Sequence, residues 1–174
     1  MSTQYNICLY KANEEGTSAN TFSPDSAITR VEIAALIVRT LSKIDTNSDG
    51  EFTDVKASDW FYNIAGSAKK YGIMNGTSTT TFAPKLNITK DQIVSVAART
   101  LRNEMKYKNP AEPEKILNIY IDKNNIPNWG TIDIALATRE NLVIKRIDSG
   151  FNPQSTMTRG DAAVILYRLF NKIW

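Results

Sequence analysis

Phe82-Ala83-Pro84-Lys85-Leu86-Asn87-Ile88-Thr89-Lys90-Asp91-Gln92-Ile93 decides the fold, because the chain carries this pattern three times. The other copies run from Phe22-Ser23-Pro24 to Ile28-Thr29-Arg30-Val31-Glu32, and from Phe151-Asn152-Pro153 to Met157-Thr158-Arg159-Gly160-Asp161. Ile28, Ile88 and Met157 stand 60 and 69 residues apart, and Arg39, Arg99 or Arg168 follows each threonine by ten. Repetition at such a period means one structural unit per copy, none able to bury its apolar face alone.

Each copy reads as a helix start. Thr29, Thr89 and Thr158 are N-cap residues, with Glu32, Gln92 and Asp161 three positions on: two capping boxes and a close variant. Ile28 with Ile33 and Ile88 with Ile93 are placed as hydrophobic staples, and Met157 with Ala162 as a weaker one. Apolar residues recur at Ile33, Leu36, Ile37 and Leu41, at Ile93, Val96, Ala97 and Leu101, and at Ala162, Ile165, Leu166 and Phe170. That spacing makes one stripe per helix. Three equal stripes predict three helices around a shared axis.

A front half is visible in two copies. Asp54 precedes Trp60, and Asp122 precedes Trp129; Gly72 and Asn141 stand twelve residues after the tryptophans. Glycine and asparagine best tolerate the left-handed conformation that ends a helix, so Trp60 to Tyr71 and Trp129 to Glu140 read as short helices. Short apolar strands are expected at Ile73-Met74 and Leu142-Val143-Ile144, with a turn at Gly76-Thr77-Ser78 echoed by Gly16-Thr17-Ser18. The first copy lacks a recognisable tryptophan helix; Tyr5 to Tyr10 stands in its place. The polar stretch Arg102 to Lys115, with Pro110 and Pro113, is the linker candidate. The repeats are thus expected at 1–44, 45–108 and 109–174.

Composition excludes several functions. The chain has 174 residues, no histidine and one cysteine, Cys8. Absent histidine removes the commonest general base and metal ligand. A lone cysteine excludes an internal disulfide. Lysine plus arginine number 21 and aspartate plus glutamate 18, a net charge of +3, too mild for a dedicated nucleic-acid binder. No apolar run approaches ~18 residues, so no membrane insertion is expected. Residues 1–15 lack a basic flank followed by an apolar core, so no signal peptide is read there, and an exported protein would be represented here by a mature piece.

Taken together, the Asp-to-Trp front segment, the helix ending in glycine, the Gly-Thr turn, Phe-x-Pro and the Ile-Thr-Arg-Val-Glu type signature resemble S-layer homology domains, the tandem triplets that attach bacterial surface proteins to the cell wall. Residues 13 to 174 carry the resemblance. It departs at Lys90 and Gln92 of the second signature, at Asp161 of the third, and in the missing first tryptophan. The resemblance implies a mainly α fold: a pseudo-three-fold assembly with a central three-helix bundle and outer lobes of helix and short strand. It implies an extracellular, non-catalytic anchor on the cell wall or S-layer. Its partner would be an anionic, often pyruvylated, secondary cell-wall polysaccharide, or a peptidoglycan-linked glycan.

Arg30, Lys90 and Arg159 fall at the first helical position, where the helix dipole disfavours a cation by roughly 0.3–1 kcal/mol. An acidic ligand would explain them, since free N–H groups, dipole and side chain would converge on it. Pairing with an acid of a neighbouring repeat is the structural alternative. Trp60 and Trp129 suit either stacking on a sugar face or core packing. Asp54 and Asp122 suit sugar hydroxyls or, more simply, helix capping. Gly72, Ile73 and Gly76 would offer backbone contacts to a glycan or merely shape a turn. Arg39, Arg99 and Arg168 are expected to form structural ion pairs.

Asp45-Thr46-Asn47-Ser48-Asp49-Gly50-Glu51-Phe52 opens like a calcium loop, with Asp45, Asn47 and Asp49 as candidate ligands. Its twelfth position is Lys56, where a bidentate acid is needed, so the motif is broken; Asp54 or a residue of a lobe would have to substitute, and a polar turn is the plainer reading. No cofactor is required by any of this. A glycosidase would need two acids facing across a cleft, and the repeated chemistry is cationic instead. A protein-interaction or assembly module, stabilised by calcium, is the alternative to the glycan anchor.

Overall fold

The structure, a computed structural model, describes residues 22–48, 52–144 and 149–174. Tyr5 to Tyr10, Gly16-Thr17-Ser18, Cys8 and Asp49 lie outside them. The protein is mainly α, as expected. Six α-helices occur among the described residues: α1 (Arg30–Thr40), α2 (Tyr62–Lys70), α3 (Lys90–Met105), α4 (Pro113–Leu117), α5 (Thr131–Arg139) and α6 (Arg159–Phe170). Two 3₁₀ turns, Lys123–Asn125 and Asn128–Gly130, precede α5. The strands expected at Ile73-Met74 and Leu142-Val143-Ile144 are not formed. The described residues hold only isolated bridges: Ala27 with Thr158, Thr29 with Asn87, Thr89 with Thr156, and Tyr120 with Ser149. Ile73, Met74, Leu142 and Val143 are buried nonetheless, so burial and not a ladder accounts for those apolar pairs.

The chain forms two compact units. One contains the described residues through Asn87 together with Thr158–Ala163; the other contains Ile88–Met157 and Val164–Trp174. In the first, α1 packs on α2. In the second, α5 packs on α3 and α4, and the turn Asn128–Gly130 sits against both α3 and α5.

The helix starts follow the sequence with one substitution. Thr29 and Glu32 make the full capping box, Glu32 N–H donating to Thr29 Oγ1 (3.4 Å) and Thr29 N–H to Glu32 Oε2 (2.7 Å). Thr158 Oγ1 accepts from Asp161 N–H (3.1 Å). The second box does not form: Thr89 makes no cap bond, and Asp91 Oδ1 accepts the Gln92 N–H at 2.7 Å. A cap is worth about 1 kcal/mol, whereas burying one isoleucine or leucine is worth about 1.5–3 kcal/mol. The stripe therefore outweighs the cap, and every stripe residue is buried except half-buried Leu41. Gly72 and Asn141 take φ of 62° and 58°, which ends the turns after α2 and α5 as predicted. The polar stretch after Arg102 is partly helical: α3 runs on to Met105, Lys106 closes it at φ 57°, and Pro113 begins α4.

Candidate functional site

The three Phe-x-Pro segments are receptors for the helix starts. Arg30 N–H donates to the Leu86 carbonyl (2.9 Å) and Val31 N–H to that of Pro84 (3.1 Å). Lys90 and Asp91 donate to Ser155 and Pro153, both at 3.0 Å, and Arg159 and Gly160 to Ser26 (2.8 Å) and Pro24 (2.9 Å). A helix leaves its first four N–H groups without internal partners. Here two of them at each start are already bonded to carbonyls, so they do not converge on an external anion. The convergence on an acidic ligand expected from the sequence is therefore not made by these N–H groups.

The cations fold back onto the same segments. Arg30 Cζ lies 5.5 Å from the Phe82 ring centroid, Lys90 Nζ 4.9 Å from that of Phe151, and Arg159 Cζ 5.4 Å from that of Phe22. Arg30 Nε donates to the Phe82 carbonyl (3.0 Å) and Nη2 to that of Asn75 (2.9 Å). Arg159 Nε donates to the Phe22 carbonyl (3.0 Å), and its Nη1 meets Glu32 at 3.1 Å. Both arginines are 5% exposed; Lys90 is half-buried. Burial pushes the Arg30 guanidinium below its ordinary value, and the Asp54 charge offsets part of that. Magnitudes explain why a cation tolerates this place. The dipole costs up to about 1 kcal/mol. A desolvated cation–π contact returns about 2 kcal/mol, and hydrogen bonds from a charged donor about 1.5–3 kcal/mol.

Asp54 and Asp122 cap no helix. Asp54 accepts the N–H groups of Phe82 (2.8 Å) and Ala83 (2.7 Å); Asp122 accepts those of Phe151 (2.5 Å) and Asn152 (2.7 Å). Each carboxylate thus holds a Phe-x-Pro turn from the front half of its own repeat. The turn needs holding. Its middle residue is left-handed in all three copies: Ser23 (φ 49°), Ala83 (φ 58°) and Asn152 (φ 54°). That costs an alanine roughly 1–2 kcal/mol. Sequence reasoning missed this strain, although Asn152 is a residue type that hints at it.

Trp60 and Trp129 are 60% and 53% exposed, so they are not core residues. Trp60 meets Phe61 edge-on at 5.3 Å, and the Arg39 guanidinium lies 5.4 Å from its ring. Arg99 pairs with Asp133 (3.1 Å), joined by Arg102, so it is the structural ion pair expected. Ile73 is fully buried. A Cβ on Gly76 would stand 2.3 Å from the Thr81 carbonyl oxygen, in a turn closed by Thr77 N–H on that same oxygen (2.8 Å). Turn geometry accounts for it.

Asp45 does not present a vacant carboxylate to calcium. Its Oδ2 is ion-paired with Lys70, and its Oδ1 accepts the Asn47 N–H (2.9 Å). Its own N–H donates to Ser67 Oγ (2.8 Å) of α2, and a Cβ on Gly66 would overlap the Ser48 carbonyl. The described part of the loop, Asp45 to Ser48, clasps α2, with the Lys70 ammonium against the Asp45 carboxylate. No group of three or more acids, histidines or cysteines gathers among the described residues. No helix among them is long and apolar enough to cross a membrane.

The family model of the S-layer homology domain matches residues 51–94 and 120–163, half of the chain. The chain is 31% identical over 158 residues to an amylopullulanase of Thermoanaerobacterium thermosulfurigenes and 30% identical over 158 residues to an exoglucanase, XynX, of Acetivibrio thermocellus. It is 29% identical over 165 residues to the surface-layer 125 kDa protein of Lysinibacillus sphaericus. Each match covers 91% of this chain but only 8%, 14% and 13% of the relative, so the chain spans a small part of each. The repeated signature, the mainly helical fold and these matches agree: the chain belongs to the S-layer homology family, whose domains anchor surface proteins to the cell wall.

Proposed function

We propose that this chain is a non-catalytic module that fastens a larger protein to the cell wall by binding an anionic secondary cell-wall polysaccharide. One observation carries the reading. Two tryptophans at matching places in the second and third repeats hold their indoles at the surface, although indole is among the largest apolar groups a core can use. Left at the surface, each indole offers a flat apolar face, and a carbohydrate ring offers C–H surface for it to cover. Arg30 and Arg159 enter as positioning residues, because their donors hold the Phe-x-Pro segments in place. Repetition would convert weak contacts into avidity.

The test is a pull-down with purified sacculi before and after acid stripping of the polymer that is not peptidoglycan. Binding that disappears on stripping, and falls in the Trp60→Ala/Trp129→Ala double variant, supports the reading. Unchanged binding after stripping points to peptidoglycan. Failure to bind either preparation overturns the glycan reading and favours a protein partner.

A further inference from the structure

Asn75-Gly76 is the one Asn-Gly pair in the chain. It stands between two fixed residues. Met74 is buried and its N–H donates to the Ala68 carbonyl (3.1 Å), and Thr77 N–H donates to that of Thr81 (2.8 Å). Asn75 itself is exposed. Neither its carboxamide nor the Gly76 N–H is bonded to another group among the described residues.

The peptide between the two residues is polarised from inside. Arg30 Nη2 donates to the Asn75 carbonyl (2.9 Å) while Nε holds the Phe82 carbonyl (3.0 Å), and the arginine is 5% exposed. No described peptide bond is cis, so the Gly76 N–H points away from that carbonyl and from Arg30. Hydrogen bonds strengthen when a partner is ionised. The guanidinium therefore favours loss of the Gly76 amide proton, because the resulting charge is shared with the carbonyl oxygen it holds.

Packing also dictates the glycine. A Cβ on Gly76 would stand 2.3 Å from the Thr81 carbonyl oxygen and 2.8 Å from Phe52 Cε1. The turn thus excludes a side chain that would shield the nitrogen from its neighbour. The other repeats lack the pair: Ile144-Lys145 stands at these places in the third and Glu15-Gly16 in the first.

We propose that Asn75 is a site of spontaneous deamidation in the folded protein, promoted by Arg30, through which the turn of the second repeat acquires a negative charge with time. Hydroxide takes the Gly76 amide proton, and the nitrogen attacks Asn75 Cγ. An N–Cγ bond forms, the Cγ–Nδ2 bond breaks, and ammonia leaves with a proton from water, which returns the hydroxide. The cyclic imide then takes up one water. Cleavage of the new N–Cγ bond gives aspartate; cleavage between the Gly76 nitrogen and the Asn75 backbone carbonyl carbon gives isoaspartate. In the second product the freed carboxylate contains the oxygen that Arg30 already holds. Either product lowers the net charge from +3 to 3 − 1 = +2.

The experiment ages the full chain at mildly alkaline pH, folded in buffer and in parallel unfolded in urea. Peptide mass mapping follows Asn75, and ion exchange follows the charge. The folded chain should convert Asn75 about tenfold faster than the unfolded chain, which lacks the Arg30 contact. Arg30→Gln, which keeps a donor and removes the charge, should bring the folded rate down toward the unfolded one. Equal or slower conversion in the folded parent overturns the proposal, because a pinned turn would then hinder ring closure more than the cation promotes it. Faster conversion that a folded Arg30→Gln leaves unchanged overturns it as well. Circular dichroism shows whether that variant folds; if it does not, the folded and unfolded parents decide between them.

Discussion

The helix starts at Arg159 and Lys90 meet one electrostatic problem with different residues. Each puts a cation on the positive end of a helix, over a phenylalanine ring, with two backbone N–H groups bonded to the carbonyls of a Phe-x-Pro segment. Arg159 is buried, donates to the Phe22 carbonyl and meets Glu32. Lys90 is half-buried, and its neighbour Asp91 takes over the cap. The difference shows which parts the junction requires. Ring and carbonyls recur at both; the planar fork of arginine and the threonine cap do not.

Replacing the cations should break the comparison most strongly. Arg159→Ala removes the buried guanidinium that donates to the Phe22 carbonyl and meets Glu32, and should lose about 2–3 kcal/mol. Lys90→Ala removes a half-buried point charge and should lose about 1 kcal/mol. Urea unfolding of both variants measures the gap. Arg159→Ala is thus expected to lower stability, the reverse of what a purely ligand-binding role predicts. Equal losses would mean that the arginine fork adds nothing.

The strained turns sharpen it next. Asn152 occupies the left-handed position that Ala83 occupies in the second repeat. Ala83→Asn should therefore stabilise by about 0.5–1 kcal/mol, read as a raised urea midpoint, because asparagine tolerates this conformation better than alanine. The matching change Asn152→Ala should cost a similar amount.

The smallest effect comes from an exposed pair outside the junctions. The hydrogen bond from Lys70 holds the Asp45 carboxyl below the usual carboxylate range, and Asp45 raises the Lys70 ammonium. The Asp45 contribution is present above the unfolded carboxyl value and is lost as pH falls through the lowered folded one. The Lys70 contribution is present below the unfolded amine value and is lost as pH rises through the raised folded one. Thermal melts should show Asp45→Asn converging with the parent at acid pH, and both converging in high salt, which screens exposed pairs but not buried ones. Adding a chelator should leave the parent's melting temperature unchanged, since the Asp45 carboxylate is already paired with Lys70. A salt-insensitive difference would show that the loop acts through packing.

Much of the fold was legible because its causes are local. Threonine caps, apolar stripes and the left-handed residues Gly72 and Asn141 act within a few residues of themselves, so their places follow from composition and spacing. The partners of the cations were not legible. Phe82, Asn75 and Phe22 lie 52, 45 and 137 residues from the arginines they receive, and no periodicity encodes those distances. Asp54 looked like a cap because it precedes a helix; its oxygens reach 28 and 29 residues ahead instead.

By itself, then, the sequence determined the triplication, the helix starts and ends, and the exclusion of histidine chemistry and of an internal disulfide. These depend on residue type and short spacing alone. Only the tertiary structure decided that the repeated cations turn inward onto carbonyls and rings, and that Trp60 and Trp129 stay at the surface. Burial and hydrogen-bond partners are set by which distant segments fold together, and that is a property of packing.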